Sequence, residues 1–501
     1  MDGTSAQVRA RRPRSIFYFA IVFLAGTPCL ALRLVSGKKG RYNAQVAGLS
    51  GTTVFLGNCV MRNSESGDFM KFARFILGVL FLILTFTPVF ADWKEEANRR
   101  IEEHRKADVT IRVIVGDKPV SDAVVSLKMV EHEFLFGCNV FMWNRSSSPE
   151  ENELYNRRFS ELFNFATLGF YWWAYEPGIG QPDYAYSEQV AAWCKVNGIQ
   201  TKGHPLAWNF VDPSWAKDLD DAELYWRHME RVKDCPKHFS GQIDIWDVIN
   251  EVVGWDREEC RKNSPRITAL MKEHDQVTFA KTCFEMARLG NPSAKLLIND
   301  YITDQSYVEL IEKLVDSNGK PLYDIIGVQS HMHGGTWSNE QIWATCERFA
   351  RFNVPIHFTE LTVLSGSEAF NWDTRNPLPT TLAGEENQKT EVERIYTMLF
   401  SHPAVEAITW WDLSDRGAWM GVPAGLIHRD LSTKPAYDAL KKLVRETWTT
   451  NETLKTDSEG KTTSRVFRGT YQVEITLPDG KKQTLPVTIQ KGKNEFEIRV
   501  E

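Results

Sequence analysis

Two acidic residues stand where strand-like runs end. Glu251 follows Asn250 at the close of I-D-I-W-D-V-I-N-E, and Glu360 closes V-P-I-H-F-T-E. If both runs are strands of one parallel barrel, the two carboxyls reach a single cleft from opposite sides, as glycosidic-bond cleavage requires. One carboxyl then protonates the leaving oxygen while the other attacks the anomeric carbon, so the two must hold different pKa values. Asn250, beside Glu251, is placed to hydrogen-bond a sugar 2-hydroxyl, a contact that strengthens in the transition state. A single strand-ending Glu is more often a surface residue or half of a barrel ion pair. The Asn-Glu pair, the second Glu and the polar residues ending the other runs together favour chemistry.

The elements that must position these groups lie between Phe134 and Val444. Eight short apolar runs occur there: F-L-F-G-C-N-V, F-A-T-L-G-F, T-K-G-H-P-L, I-D-I-W-D-V-I-N, K-L-L-I-N-D, D-I-I-G-V-Q-S, V-P-I-H-F-T-E and V-E-A-I-T-W-W. Stretches long enough for helices separate them, which predicts an α/β fold, a (β/α)8 barrel over 131–446. The polar residues His204, Asn250-Glu251, Asn299-Asp300, Gln329 with His331, and Glu360, together with Trp410-Trp411, sit at the run ends, the reaction face of such a barrel. His357, three residues before Glu360, falls on the opposite strand face by period-two alternation and is assigned to packing. A charged helix from Asp92 and a β-hairpin around Gly-Asp-Lys-Pro make an N-terminal module over 92–130. Alternation around a Pro-Asp-Gly turn makes a second antiparallel β module over 447–501. The two modules are read as one sandwich and as a structural brace.

At 501 residues, with 43% hydrophobic and 25% charged, the chain can hold a large barrel plus a smaller module. A net charge of -6 without a Lys/Arg run beside aromatics excludes a nucleic-acid surface. Residues 70–91 carry Lys71 and Arg74, an apolar run and the small-residue site Val89-Phe90-Ala91, the anatomy of a signal peptide. That predicts a secreted, periplasmic or extracellular protein, with 1–69 an upstream extension or mis-start; a membrane anchor is the alternative. Cys138, Cys194, Cys235, Cys260, Cys283 and Cys346 are widely scattered, which fits buried thiols with room for one or two bridges and proposes no metal site.

The motifs W-D-V-I-N-E (246–251), H-F-T-E-L (357–361), K-G-H-P-L-A-W (202–208), I-N-D-Y (298–301), G-V-Q-S-H (327–331), I-T-W-W-D-L-S-D (408–415) and K-P-A-Y-D-A (434–439) resemble glycoside hydrolase family 10, the retaining endo-β-1,4-xylanases. The resemblance implies a (β/α)8 barrel, Glu251 as acid/base, Glu360 as nucleophile, a covalent glycosyl-enzyme intermediate and no cofactor. It also implies that His204, Trp208, Asn250, Gln329, His331 and Trp411 line the attacked sugar's subsite, with Trp419 and Trp172 as further substrate-binding residues. The expected partner is a β-linked polysaccharide or oligosaccharide, xylan first, and no protein partner is inferred. The chain departs from the family at Thr167–Trp172, T-L-G-F-Y-W, where relatives carry E-N-x-M-K-W with groups that hydrogen-bond the glycone sugars. Thr362 stands where the family has Asp, and Asn209 where it has His. A relative with shifted β-glycan specificity and a non-catalytic carbohydrate-binding barrel are the alternatives.

Overall fold

In the computed structural model the described residues are the strands 17–20, 30–36, 41–48 and 53–60, and then 93–366 and 378–501. The first four strands, Phe17–Ala20, Leu30–Ser36, Arg41–Gly48 and Thr53–Val60, pair antiparallel in chain order. The last two occupy sequence that shows no clear periodicity. The leader segment expected at 70–91 lies outside the described residues. Among the described residues no helix is long and apolar enough to cross a membrane.

Within 92–501, all eight apolar runs form strands: β1 (Leu135–Asn139), β2 (Phe165–Gly169), β3 (Gln200–His204), β4 (Ile245–Asn250), β5 (Lys295–Asp300), β6 (Ile325–Val328), β7 (Ile356–Val363) and β8 (Val405–Trp410). Each is parallel to the next, and β8 pairs with β1, so the sheet closes into a barrel. Short polar residues start the covering helices: Ser148, Asp220, Asp304, Ser338 and Thr381 each accept from a backbone N–H of the first turn. Leu135, Phe165, Ala407 and the partly buried Ile245 cluster inside, so the barrel is packed and its polar groups are confined to other levels.

Two β-bulges decide which side chains face that interior. The pairing of β4 with β5 slips between Asp247 and Ile249, and that of β7 with β8 slips between Phe358 and Leu361. One extra residue reverses the alternation, so Asp247 and Asn250 both face inward although they are three apart. The same applies to His357 and Glu360. The expectation that His357 lies on the outer face is therefore corrected: its ring meets Phe165 of β2 at 6.1 Å across the barrel, and Lys202 and Asp247 act on it electrostatically. It remains a packing residue, with burial driving its pKa down to about 3.

The helix Trp93–Arg105 buries Ala97 and Ile101 and packs on helix Leu382–Ser401. After it, the expected hairpin is split. Lys106–Val115 pairs with only Lys118–Pro119 at the turn and otherwise lies between Lys461–Phe467 and Asn494–Arg499. Val124–His132 crosses to the other sheet, between Asn451–Lys455 and Gly469–Thr476, whose far edge is Lys482–Ile489. A Gly-Asp-Lys-Pro turn reads the same whether the chain returns along the same sheet or crosses over. The two sheets share one core that includes Ile111, Val113, Leu127, Tyr471, Val473 and Ile498. Arg105 fastens this sandwich to the barrel: buried, it donates to the carbonyls of Phe400 (2.6 Å), His402 (2.5 Å) and Val405 (2.7 Å). The six cysteines from Cys138 to Cys346 are all buried free thiols.

Candidate active site

Asn250 ends β4 and places its amide oxygen between two donors. Asn299 Nδ2, at the end of β5, donates to it at 2.8 Å, and Gln329 Nε2, just past β6, donates at 3.1 Å. Each donor also reaches a carboxylate. Asn299 Nδ2 donates to Glu360 Oε1 at 2.8 Å, and Gln329 Nε2 to Glu251 Oε1 at 3.3 Å. One amide oxygen thus ties Glu251 to Glu360, and the charge of each is felt in the same cleft. Both acceptor sites of the Asn250 oxygen are used, which leaves its N–H groups for a ligand.

Glu251 is the first residue past β4 and takes a left-handed backbone, φ 58°, held by its N–H donating to the Asn299 carbonyl at 2.8 Å. A non-glycine residue in this region costs roughly 1–3 kcal/mol and is retained where the surroundings fix it. Here the turn separates Glu251 from the interior-facing Asn250 and sends its carboxyl toward Trp208 and Arg257. Trp208 Nε1 donates to Glu251 Oε2 at 3.3 Å, and Arg257 Nη2 donates to the same oxygen. Burial pushes the Glu251 carboxyl above the usual carboxylate range; Arg257 opposes the rise and the charge of Glu360 adds to it. Asn209 holds the loop that carries Arg257, donating to the Trp255 carbonyl at 2.7 Å and to Thr268 Oγ1 at 2.9 Å.

Glu360 is held the other way. Burial opposes its charge most strongly, but the hydrogen bond from His331 and the proximity of His204, His331 and Lys202 outweigh it, so the carboxyl sits below the usual range. His331 Nε2 lies 2.9 Å from Glu360 Oε2, and its Nδ1 lies 2.9 Å from Thr362 Oγ1. A carboxylate only accepts, so Nε2 donates to Glu360, and the Thr362 hydroxyl, able to donate or accept, partners Nδ1. Beneath them Asp247 Oδ2 takes Lys202 Nζ at 2.6 Å and His204 Nδ1 at 2.7 Å, all three groups buried. The pair of carboxyls therefore carries opposite pKa displacements, the condition for dividing acid and nucleophile roles.

Aromatic rings wall the cleft. Trp411 stands edge-on to His204 (5.4 Å) and His331 (5.8 Å), and Trp419, partly exposed, covers His331 at 4.8 Å. Trp208 stacks on Phe210 at 4.2 Å, and Tyr171 contacts both Trp208 and Trp173. Trp172, expected against the sugar, is turned elsewhere. Its ring meets Trp215 and His228 at 5.2 Å each, and its Nε1 donates to Glu176 at 2.6 Å, because the helical turn 172–175 points Trp172 and Tyr175, three residues apart, toward helix Asp221–His238. Sequence reasoning named Asn299 only as part of a polar strand end and passed over Arg257, Phe141 and Tyr171. The strand-end position was the available signal for Asn299; the other three sit on loops whose course no periodicity reveals. Among the described residues no group of His, Cys, Asp and Glu is arranged to hold a metal.

The chain is 27% identical over 423 residues to the anti-sigma-I factor RsgI6 of Acetivibrio thermocellus, covering 82% of this chain and 51% of that protein. It is 24% identical over 412 residues to endo-1,4-beta-xylanase 5-like of Arabidopsis thaliana, covering 77% of this chain and 65% of the relative. The chain thus spans about half to two-thirds of these relatives. It is also 26% identical over 352 residues to endo-1,4-beta-xylanase B of Thermotoga neapolitana, covering 66% of this chain and 93% of the relative. Xylanase 10B of Thermotoga petrophila, solved with xylobiose, shares the fold at a TM-score of 0.51 and 23% identity, over 63% of this chain and 95% of that one. A GH10 endoxylanase from a sugarcane soil metagenome does so at 0.52 and 22%, over 62% and 97%. The sequence model of glycosyl hydrolase family 10 matches residues 127–443, most of the chain and the whole barrel. The chain belongs to glycosyl hydrolase family 10.

Proposed function

We propose that the protein is a retaining glycoside hydrolase acting on β-1,4-linked xylose units, with Glu360 as nucleophile and Glu251 as acid/base. The observation that carries the reading is the single Asn250 oxygen linking two carboxyls whose pKa values are displaced in opposite directions. Glu360, its charge favoured by His331, attacks the anomeric carbon, while Glu251, whose hold on a proton is strengthened by burial, gives its proton to the leaving oxygen. The ester so formed on Glu360 is resolved by water, which Glu251, now a carboxylate, deprotonates. The Asn250 N–H groups hold the sugar 2-hydroxyl. Xylose as the sugar rests on the relatives named as xylanases, and export of the protein rests on the leader-like residues 70–91.

The test is chemical rescue. Glu360→Ala is expected to lose turnover of an aryl β-xyloside and to yield the α-xylosyl azide when azide is supplied. Glu251→Ala is expected to retain turnover of activated aryl glycosides and to yield the β-azide. The opposite pairing of mutant and azide configuration would exchange the two roles, and near-normal rates for Glu360→Ala on every substrate would remove the reading.

A further inference from the structure

Four rings form a closed circuit on one side of the cleft. Phe141 meets Trp411 at 5.6 Å and 88°, Trp411 meets His204 at 5.4 Å and 79°, His204 meets Tyr171 at 5.7 Å and 85°, and Tyr171 meets Phe141 at 5.8 Å and 76°. Every contact is edge to face, the favoured geometry for aromatic pairs, so each ring seals against the next. The rings come from the ends of β1, β2, β3 and β8, which are consecutive around the barrel. Glu251 and its partner Gln329 come from β4, the next strand after β3, and β6, outside that run of four strands. Because Glu251 delivers the proton to the departing group, the leaving portion of a glycan lies on its side and the retained portion runs toward the ring circuit.

The circuit is braced from behind. Tyr186 donates to the Phe141 carbonyl at 3.3 Å, the Phe141 N–H donates to Asn139 Oδ1 at 3.4 Å, and Asn139 Nδ2 donates to Asp412 at 3.4 Å. Even a methyl group on Gly169 would press on Phe141 at 3.3 Å and on Tyr171 at 3.4 Å. Tyr171 also meets Trp208 at 6.1 Å, and Trp208 Nε1 donates to Glu251, so the circuit borders the carboxyl pair. A second pyranose beyond the attacked sugar needs a slot with hydrogen-bonding groups or an open ring face, and an edge-sealed wall supplies neither.

Resting on the hydrolase reading above, we infer that the glycone side holds one sugar only, so that the enzyme releases single xylose units from the non-reducing end of short β-xylo-oligosaccharides. The experiment compares kcat/KM of the full-length protein on an aryl β-xyloside and the matching aryl β-xylobioside, and follows the first product from xylotetraose. The expected result is a bioside no better than about three times the monoside, with xylose as the first product. Opening the wall with Phe141→Ala or Tyr171→Ala is expected to raise the bioside-to-monoside ratio at least tenfold. A wild-type preference for the bioside of a hundredfold or more, or xylobiose as the first product, overturns the inference while leaving the hydrolase reading intact. Turnover of neither glycoside refutes the hydrolase reading, and the inference with it.

Discussion

Asn250→Ala should separate transition-state binding from scaffold effects. The Asn250 oxygen accepts from Asn299 and Gln329, which leaves its N–H groups for the sugar 2-hydroxyl in the proposed mechanism. Hydrogen bonds to that hydroxyl strengthen as positive charge develops at the anomeric carbon and supply several kcal/mol. Taking about 3 kcal/mol, and about 1.36 kcal/mol per decade, kcat/KM on an aryl β-xyloside should fall roughly 150-fold. The scaffold also suffers, since Asn299 and Gln329 each lose one acceptor, yet each keeps a carboxylate, so unfolding stability should drop by only about 1–3 kcal/mol. The decisive assay repeats the comparison on the 2-deoxy aryl glycoside. Without the 2-hydroxyl the substitution should cost no more than about fivefold, because the interaction is already absent. Equal losses on both substrates would refute the assignment and leave Asn250 as a spacer between the carboxyls.

The kcat/KM profile should be bell-shaped, rising as the depressed Glu360 ionises and falling as the raised Glu251 loses its proton. Arg257 favours the charged form of Glu251, so Arg257→Met should move the alkaline limb to higher pH; an unmoved limb, or one moved downward, contradicts the ion pair's influence. Thr362→Val deprives His331 Nδ1 of its hydroxyl partner and should lower kcat by up to about tenfold, with Thr362→Ser restoring it; equal rates for all three would mean that the hydroxyl does not hold the ring against Glu360. Lys202→Met leaves the buried Asp247 with His204 as its remaining side-chain partner and should lower unfolding stability by about 3–5 kcal/mol in a denaturant titration. A loss below about 1 kcal/mol would show that Asp247 is neutralised without Lys202.

The barrel was legible because each strand is a short apolar run and polar residues cluster at or just past the ends of several, β1, β3, β4, β5 and β6 among them, a pattern set by a packed interior and a wet mouth. Glu251 lies just past the end of β4 as its run predicts, whereas Glu360 lies within β7, which runs on to Val363 instead of closing at Glu360. What alternation could not give was parity past a bulge: His357 shares the interior with Glu360 because β7 gains a residue between Phe358 and Leu361. The same limit hid the crossing of Val124–His132 to the second sheet, since turn chemistry records a reversal and not its destination. Trp172 illustrates the limit of position within a motif, because a single helical turn sent its ring toward Trp215 and His228. Arg257, Phe141 and Tyr171 act through loop conformation and contacts between distant segments, which leave no local periodic trace.

The most direct test of the double-displacement account is capture of the covalent intermediate. The protein is incubated with an activated 2-deoxy-2-fluoro-β-xyloside, whose fluorine slows both steps while the good leaving group keeps the first one faster, and the digested product is mapped by mass spectrometry. One fluoroxylosyl group on the peptide carrying Glu360, with activity lost in step with labelling, is the predicted result. Labelling at another residue, or an unlabelled enzyme that releases product of inverted configuration, would contradict it.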